Sequence, residues 1–129
     1  MRIIILVVLF NIIPIISSLA QDYAAQKKIT EEVVGYFEDG KYADIYALFD
    51  ETMKSSISTE KLGEIWSSLP VQCGKYIGAG DAIASEVQGY VVVNHYLDFE
   101  NVDLDLRLAF NANNQISGLF FVPPVKKKE

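Results

Sequence analysis

The chain has 129 residues, half of them apolar, which is enough for one domain with a hydrophobic core. Seventeen acidic and eleven basic residues give a formal net charge of −6, which opposes binding to nucleic acids and anionic membranes, since both reward clustered positive charge. A single cysteine and a single histidine exclude an internal disulfide and a zinc site built from ordinary ligands.

The first twenty residues have the pattern of a secretory signal peptide. Arg2 is followed by an apolar run over residues 3–16, and Ser18 and Ala20 are small residues at the two positions that signal peptidase reads. The run is shorter than the roughly 18 to 20 residues of a membrane-spanning helix, and retention as an anchor is the alternative. We expect cleavage after Ala20, export to the periplasm or the exterior, and no membrane contact by the mature domain.

Three amphipathic helices are predicted next. Over residues 22–38 apolar side chains recur every four residues, and the glycine at position 40 is expected to end this helix. A second helix is predicted over residues 42–53. A third begins after Ser58, a good N-cap, and we expect Pro70 to prevent its continuation. The apolar faces of the second and third helices consist of Tyr42, Ile45, Tyr46, Phe49, Met53, Leu62, Ile65, Trp66 and Leu69.

After Gly74 the period of the pattern changes from that of helices to that of strands. Residues 90–99 and 102–110 alternate apolar and polar side chains, as in a sheet with one buried face. Residues 75–86 are ambiguous because two glycines weaken a strand there. The remaining predicted features are a turn at Gln88-Gly89, a two-residue hairpin turn at Glu100-Asn101, a turn over residues 111–115, and a strand over residues 116–122 that ends at Pro123-Pro124.

This order predicts an α+β fold, with three N-terminal helices packed on an antiparallel sheet of about four strands. We expect a signal peptide over residues 1–20, a single α+β domain over residues 21–122, and a polar C-terminal tail over residues 123–129.

Several short motifs carry a resemblance to a known fold family. They are GKY at residues 40–42, LFD at 48–50, Met53-Lys54, Ser58, Lys61-Leu62, Trp66, Leu69, GKY at 74–76 and NQISGLF at 114–120. With these motifs the chain resembles the nuclear transport factor 2-like superfamily of ketosteroid-isomerase and SnoaL-like proteins. Within it, the chain is similar to an uncharacterised bacterial family of domains that are often exported and sometimes fused to α/β-hydrolases. The resemblance implies a cystatin-like cone whose curved sheet wraps a long helix and leaves a pocket, and it implies no catalytic residues.

His95 is the first candidate for a binding site. Alternation places it with Leu97 and Phe99 on the apolar face of its strand, and a turn at residues 100–101 sets it opposite Leu106. Burial there favours a neutral imidazole that could orient a bound molecule. A buried histidine hydrogen-bonded to a tyrosine or a backbone carbonyl is the alternative.

Most aromatic side chains are predicted to belong to the core. Trp66 and Tyr46 are the first candidates to line a cavity, because their polar ends need partners when buried. We therefore predict a ligand-binding site formed by His95, Trp66, Tyr46 and Phe99, with Trp66 as its lid. No catalytic residue, cofactor or metal is predicted.

Four acidic residues are expected on the opposite, polar face of the second hairpin. Asp98 falls across from Asp103, and Asp105 falls across from Tyr96, with Glu100 in the turn. Like charges directly opposite each other are unfavourable, and a bound calcium ion could relieve the repulsion. The alternative that we favour is a wet strand end whose charges are screened by water.

The chain contains no nucleophile elbow, phosphate-binding loop or metal-ligand cluster, so no motif identifies an activity. We therefore consider three functional hypotheses. The leading one is an exported, non-enzymatic domain that binds a small apolar or amphipathic molecule, or a protein segment, in the mouth of the cone. The second is an isomerase or dehydratase, which needs a carboxylate base near a neutral donor, although no acid is predicted to point inward. The third is a structural homodimer through the outer sheet face, whose apolar residues include Tyr90, Val92, Tyr96 and Ala109.

Overall fold

The computed structural model describes residues 23–125, so the predicted signal peptide and the last four residues lie outside the described part. Four helices precede four strands: α1 (Ala24–Asp39), α2 (Tyr42–Tyr46), α3 (Glu51–Ser56), α4 (Thr59–Cys73), β1 (Tyr76–Val87), β2 (Tyr90–Phe99), β3 (Leu104–Phe110) and β4 (Ile116–Val122). The strands form one antiparallel, curled sheet in the order β1-β2-β3-β4, which confirms the predicted α+β fold. In residues 23–125, no helix has the length and apolar character that a membrane crossing requires.

Helix α1 buries one face in the core, and it ends where the sequence predicts. Val33, Val34 and Phe37 are buried along one stripe. Gly40 adopts a φ of 72°, its amide donates to the Phe37 carbonyl, and the Lys41 amide donates to the Tyr36 carbonyl at 2.8 Å. These two bonds form a Schellman motif, which satisfies carbonyls that the last helical turn leaves without partners.

The predicted second helix is two short helices, α2 and α3, with a break at Phe49. Around the break, the Asp50 amide donates to the Ile116 carbonyl and the Ile116 amide donates to the Leu48 carbonyl, both at 2.9 Å. Asp50 also caps α3, since its carboxylate accepts from the Met53 amide at 2.8 Å. Pairing with the edge strand β4 therefore replaces helical hydrogen bonds at this point, while Phe49 and Met53 stay buried as the spacing predicts.

Helix α4 begins as predicted but does not stop at Pro70. The Ser58 hydroxyl accepts from the Lys61 amide at 3.1 Å, which confirms the N-cap. Pro70 lies inside the helix, which continues to Cys73 and ends at Gly74 with a φ of 86°. A proline inside a helix loses one backbone hydrogen bond and crowds the carbonyl four residues earlier. Tertiary hydrogen bonds offset this cost at the last turn, because the Cys73 carbonyl accepts two amides from the β2–β3 loop at 2.8 and 3.1 Å.

The register of the β2–β3 hairpin is as predicted, but its turn is longer. His95 pairs with Leu106, and the Gln88-Gly89 turn between β1 and β2 has positive φ at both residues. The prediction of a two-residue turn at Glu100-Asn101 is wrong, since residues 100–103 connect β2 to β3. The Asp103 carboxylate accepts from the Phe99 amide at 2.9 Å and so takes the place of a strand partner.

The core lies between the inner face of the sheet and the helices. Its fully buried members include Val33, Phe37, Ile45, Phe49, Leu62, Val93, Leu97, Leu106, Leu108, Phe110 and Ile116. Irregular pairing in β1 near Gly78 and Ala79, and in β3 near Ala109, bends and twists the sheet around this core. The opposite face, which we call the outer face, carries the other half of each strand's side chains.

Candidate functional site

His95 lies on the inner face, where it is 4% exposed, and its Nδ1 atom has no hydrogen-bond partner among the described residues. Burial lowers the pKa of His95 below its ordinary value, although the acidic groups of Glu31, Asp105, Asp81 and Glu38 partly oppose this effect. The imidazole is therefore neutral at neutral pH. Its neighbours on β2 and β3, including Leu97 and Leu106, are fully buried core residues.

Trp66 and Phe99 belong to one aromatic cluster in the core. The Trp66 ring stacks on Phe37 with centroids 5.0 Å apart, and it meets the edge of Tyr76 at 5.3 Å. Tyr76 in turn contacts Phe99 at 5.4 Å, so it joins the two predicted site residues. The Tyr76 hydroxyl donates to Glu38 at 2.7 Å, and burial together with this bond raises the pKa of Tyr76.

Tyr46 lies in a different place from the other predicted site residues. Its hydroxyl donates to the Lys54 carbonyl at 3.4 Å, its ring contacts Phe49 at 6.0 Å, and the Lys54 Nζ lies 5.8 Å from the ring centroid. These contacts join α2 to α3. The structure thus brings Trp66 near Phe99 through Tyr76, whereas the Tyr46 side chain contacts Phe49 and Lys54.

Two of the acidic side chains predicted on the polar face of the β2–β3 hairpin, Asp103 and Asp105, accept hydrogen bonds from protein groups, so water alone does not screen their charges. The Tyr96 hydroxyl donates to Asp103, and this bond raises the pKa of Tyr96 to about 12. Asp105 is only 2% exposed, and its Oδ2 accepts from the Asn94 side chain at 3.3 Å and from the Val125 amide at 3.0 Å. Between residues 23 and 125, no group of three or more histidine, cysteine or acidic side chains is arranged to hold a metal ion.

A cavity of about 480 Å³ lies on the outer face of the sheet, and we call it the outer-face cavity. It is lined by Ile83, Ser85, Val87, Val92, Asn94, Arg107 and Val125. None of the four predicted site residues belongs to it. Strand alternation assigns Val92 and Arg107 to the outer face, but one wall is supplied by Val125, from the predicted tail, and no sequence pattern indicates that this residue turns back onto the sheet.

The polar side of the outer-face cavity is a chain of three side chains and one backbone amide. Arg107 Nε donates to Asn94 Oδ1 at 3.2 Å, and Asn94 Nδ2 donates to Asp105 at 3.3 Å. The same carboxylate oxygen accepts the Val125 amide. Asn94 therefore has one fixed amide orientation, and Arg107 is the charged residue of the lining.

A family model described as "Protein of unknown function (DUF3887)" matches residues 30–119, which extend from within α1 to within β4. No curated protein and no solved structure matches the chain. The matched range contains His95 and the whole lining of the outer-face cavity except Val125.

Proposed function

The chain belongs to the DUF3887 family of proteins of unknown function, and we propose that it is a non-enzymatic binding domain whose ligand occupies the outer-face cavity. The observation that carries this proposal is the cavity itself. Its volume of about 480 Å³ falls within the range of roughly 300 to 1,000 Å³ that is usual for small-molecule sites.

The composition of the lining supports a small ligand that is partly apolar. Ile83 and Val87 are 45% and 49% exposed, so a ligand that covered them would remove apolar surface from water. Beside these apolar side chains on the same sheet face, Arg107 and Asn94 supply fixed hydrogen-bonding groups. Apolar walls with a few converging polar groups are the usual design of a ligand pocket.

The inner face beside His95 is the other place for a ligand, and the unpartnered Nδ1 atom favours it. A ligand there would compete with side chains that already fill the space, because Val93, Leu97 and Leu106 are fully buried. Displacing such side chains costs packing energy that the outer face does not demand. We therefore place the ligand on the outer face.

Binding of the neutral dye Nile red, followed by its fluorescence, tests the location. Ser85→Phe places a ring in the outer-face cavity and is expected to abolish binding, whereas Ser67→Phe, on the exposed side of α4, is the matched control. Circular dichroism checks that each variant is folded. If His95→Leu abolished binding and Ser85→Phe left it intact, the ligand would lie in the interior and the proposed location would be wrong.

A homodimer through the outer face is the second candidate function, favoured by two exposed aromatic residues on that face. Tyr90 is 46% exposed and Phe120 is 54% exposed. Light scattering decides between the candidates, because Phe120→Glu would convert a dimer into a monomer and would leave a monomeric protein unchanged. A dimer that excluded Nile red would replace the proposal of a small ligand.

We further propose that this is an exported domain of the nuclear transport factor 2-like superfamily. The pattern of residues 1–20 supports export, and a curled four-stranded sheet packed on α1 supports the superfamily. The mature protein would comprise the cone domain over residues 21–122 and a tail from residue 123. N-terminal sequencing of the secreted or periplasmic protein is expected to begin at Gln21, and recovery of the uncleaved chain in membranes would contradict cleavage.

A further inference from the structure

We propose that the outer-face cavity selects an amphipathic carboxylate, whose head pairs with Arg107 and whose alkyl chain lies along the apolar wall. This inference rests on the proposed function and adds the chemical class of the ligand. It depends on the charge, orientation and surroundings of Arg107.

Among residues 23–125, no acidic side chain forms an ion pair with Arg107. Within residues 23–125 the two ion pairs are Lys54 with Glu51 and Lys61 with Glu64, and neither involves Arg107. The residues that line the cavity with it include no acid. A half-buried guanidinium that makes no ion pair with a carboxylate favours an anionic ligand over a neutral or cationic one.

The guanidinium is also held in one orientation. Its Nε donates to Asn94 Oδ1 at 3.2 Å, and Asn94 cannot exchange its oxygen for its nitrogen, because Nδ2 donates to the buried Asp105. The Val125 amide holds Asp105 from the other side at 3.0 Å. The two terminal nitrogens of Arg107 make no hydrogen bond to the described residues, and a pair of parallel N–H groups matches the two oxygens of a carboxylate.

The surroundings of Arg107 favour a singly charged head and an apolar chain. Arg107 is the lone cation among the described residues that line the cavity, so a doubly charged phosphate would share this one cation between two charges. Asp105, one hydrogen-bonded step beyond Asn94, adds a negative potential that further disfavours a dianion. Ile83, Val87 and Val92 then offer apolar contact to an alkyl chain.

Isothermal titration calorimetry with three probes of equal chain length tests the inference at about pH 7.5, where a carboxylic acid is ionised. The probes are decanoate, 1-decanol and decyltrimethylammonium, each below its aggregation concentration. We expect decanoate to bind about tenfold or more tightly than 1-decanol, because a charge-assisted hydrogen bond is roughly twice as strong as a neutral one and a gain of about 1.4 kcal/mol is tenfold in affinity. We expect the cation to bind least.

Arg107→Gln is expected to reduce decanoate binding to the level of 1-decanol and to leave 1-decanol binding unchanged. Lys61→Gln, which removes an exposed positive charge from α4, is the matched control and should not change either affinity. The comparison of the three probes on the unmodified protein needs no variant, so it stands even if Arg107→Gln does not fold. Nuclear magnetic resonance shifts of the Ile83 and Val87 methyl groups then locate the bound probe.

The outcomes separate this inference from the proposed function. Equal binding of decanoate and 1-decanol, both lost in Ser85→Phe, would overturn selection by Arg107 and leave the outer-face cavity as a ligand site. Failure of all three probes and of Nile red to bind would overturn both. Preference for decyltrimethylammonium, or decanoate binding that survives Arg107→Gln at full strength, would also overturn the inference.

Discussion

Truncation of Phe37 to alanine measures how much of the fold depends on the aromatic cluster between α1, α4 and the sheet. Phe37 is 1% exposed, stacks on Trp66 at 5.0 Å, and contacts the rings of Phe121 at 5.7 Å and Tyr42 at 6.3 Å. Truncating a buried phenylalanine costs about 3–5 kcal/mol, and each aromatic pair adds about 0.5–1.5 kcal/mol beyond burial. We expect a loss at the upper end of this range, about 4–5 kcal/mol.

A loss of this size is a large part of the stability of a small domain, which is about 5–15 kcal/mol. It would lower Tm by about 15 °C or more in a domain of this length. Urea denaturation followed by far-ultraviolet circular dichroism measures it without relying on Trp66, whose fluorescence changes with its neighbour. Phe120→Ala is the matched control, since Phe120 is 54% exposed on the outer face and its loss should cost well under 1 kcal/mol. Similar losses in the two variants would refute the central role of the cluster.

Three further predictions concern protonation and backbone strain. Burial lowers the pKa of His95, so the unfolded chain binds the proton more tightly than the folded chain does. The contribution of His95 to the free energy of unfolding is therefore full above about pH 6.5 and is lost as the pH falls below it. His95→Leu should remove this pH dependence from urea midpoints measured between about pH 5 and 8. Gly74→Ala should lower the free energy of unfolding by about 1–3 kcal/mol, since the φ of Gly74 is 86° and the added Cβ would lie 2.7 Å from a side-chain nitrogen of the β2–β3 loop. Gly35→Ala should instead raise it by about 0.5–1 kcal/mol, because Gly35 lies in the middle of α1 with open space around it. Equal effects of the two glycine variants in urea denaturation would contradict this explanation. Tyr96 should titrate with a pKa of about 12 in ¹³C nuclear magnetic resonance, and Asp103→Asn should return it towards 10.

The outer-face cavity changes where function is sought on this fold. The sequence directs attention to the apolar inner face, since an imidazole among leucines and aromatics is unusual there. In the structure Val93, Leu97 and Leu106 on that face are fully buried, and the Trp66 ring contacts Phe37 and Tyr76. The open, apolar surface with a fixed charge lies instead on the outer face, around Arg107.

The predicted and observed elements agree where structure depends on residues close in the sequence, and they differ where it depends on a distant part of the chain. Features that depend on neighbours in the chain are predicted well, such as the Ser58 cap, the Gly40 stop and the turn before β2. Features that depend on a distant partner are missed. The break at Phe49 requires β4, and the extension of α4 past Pro70 requires the β2–β3 loop.

The sequence by itself determined the fold class, the order of helices before strands and the face on which the residues of β2 and β3 lie, because helical and strand periodicity are local properties of the chain. It also determined the pairing of His95 with Leu106, since a hairpin fixes its own register. Only the tertiary structure decided which polar groups meet. Asn94 joins Arg107 to Asp105 across two strands, and Val125 reaches Asp105 from beyond the last strand. Such contacts join residues that are distant in the sequence or lie on different strands, and the spacing of residue types along the chain does not indicate which of them will meet.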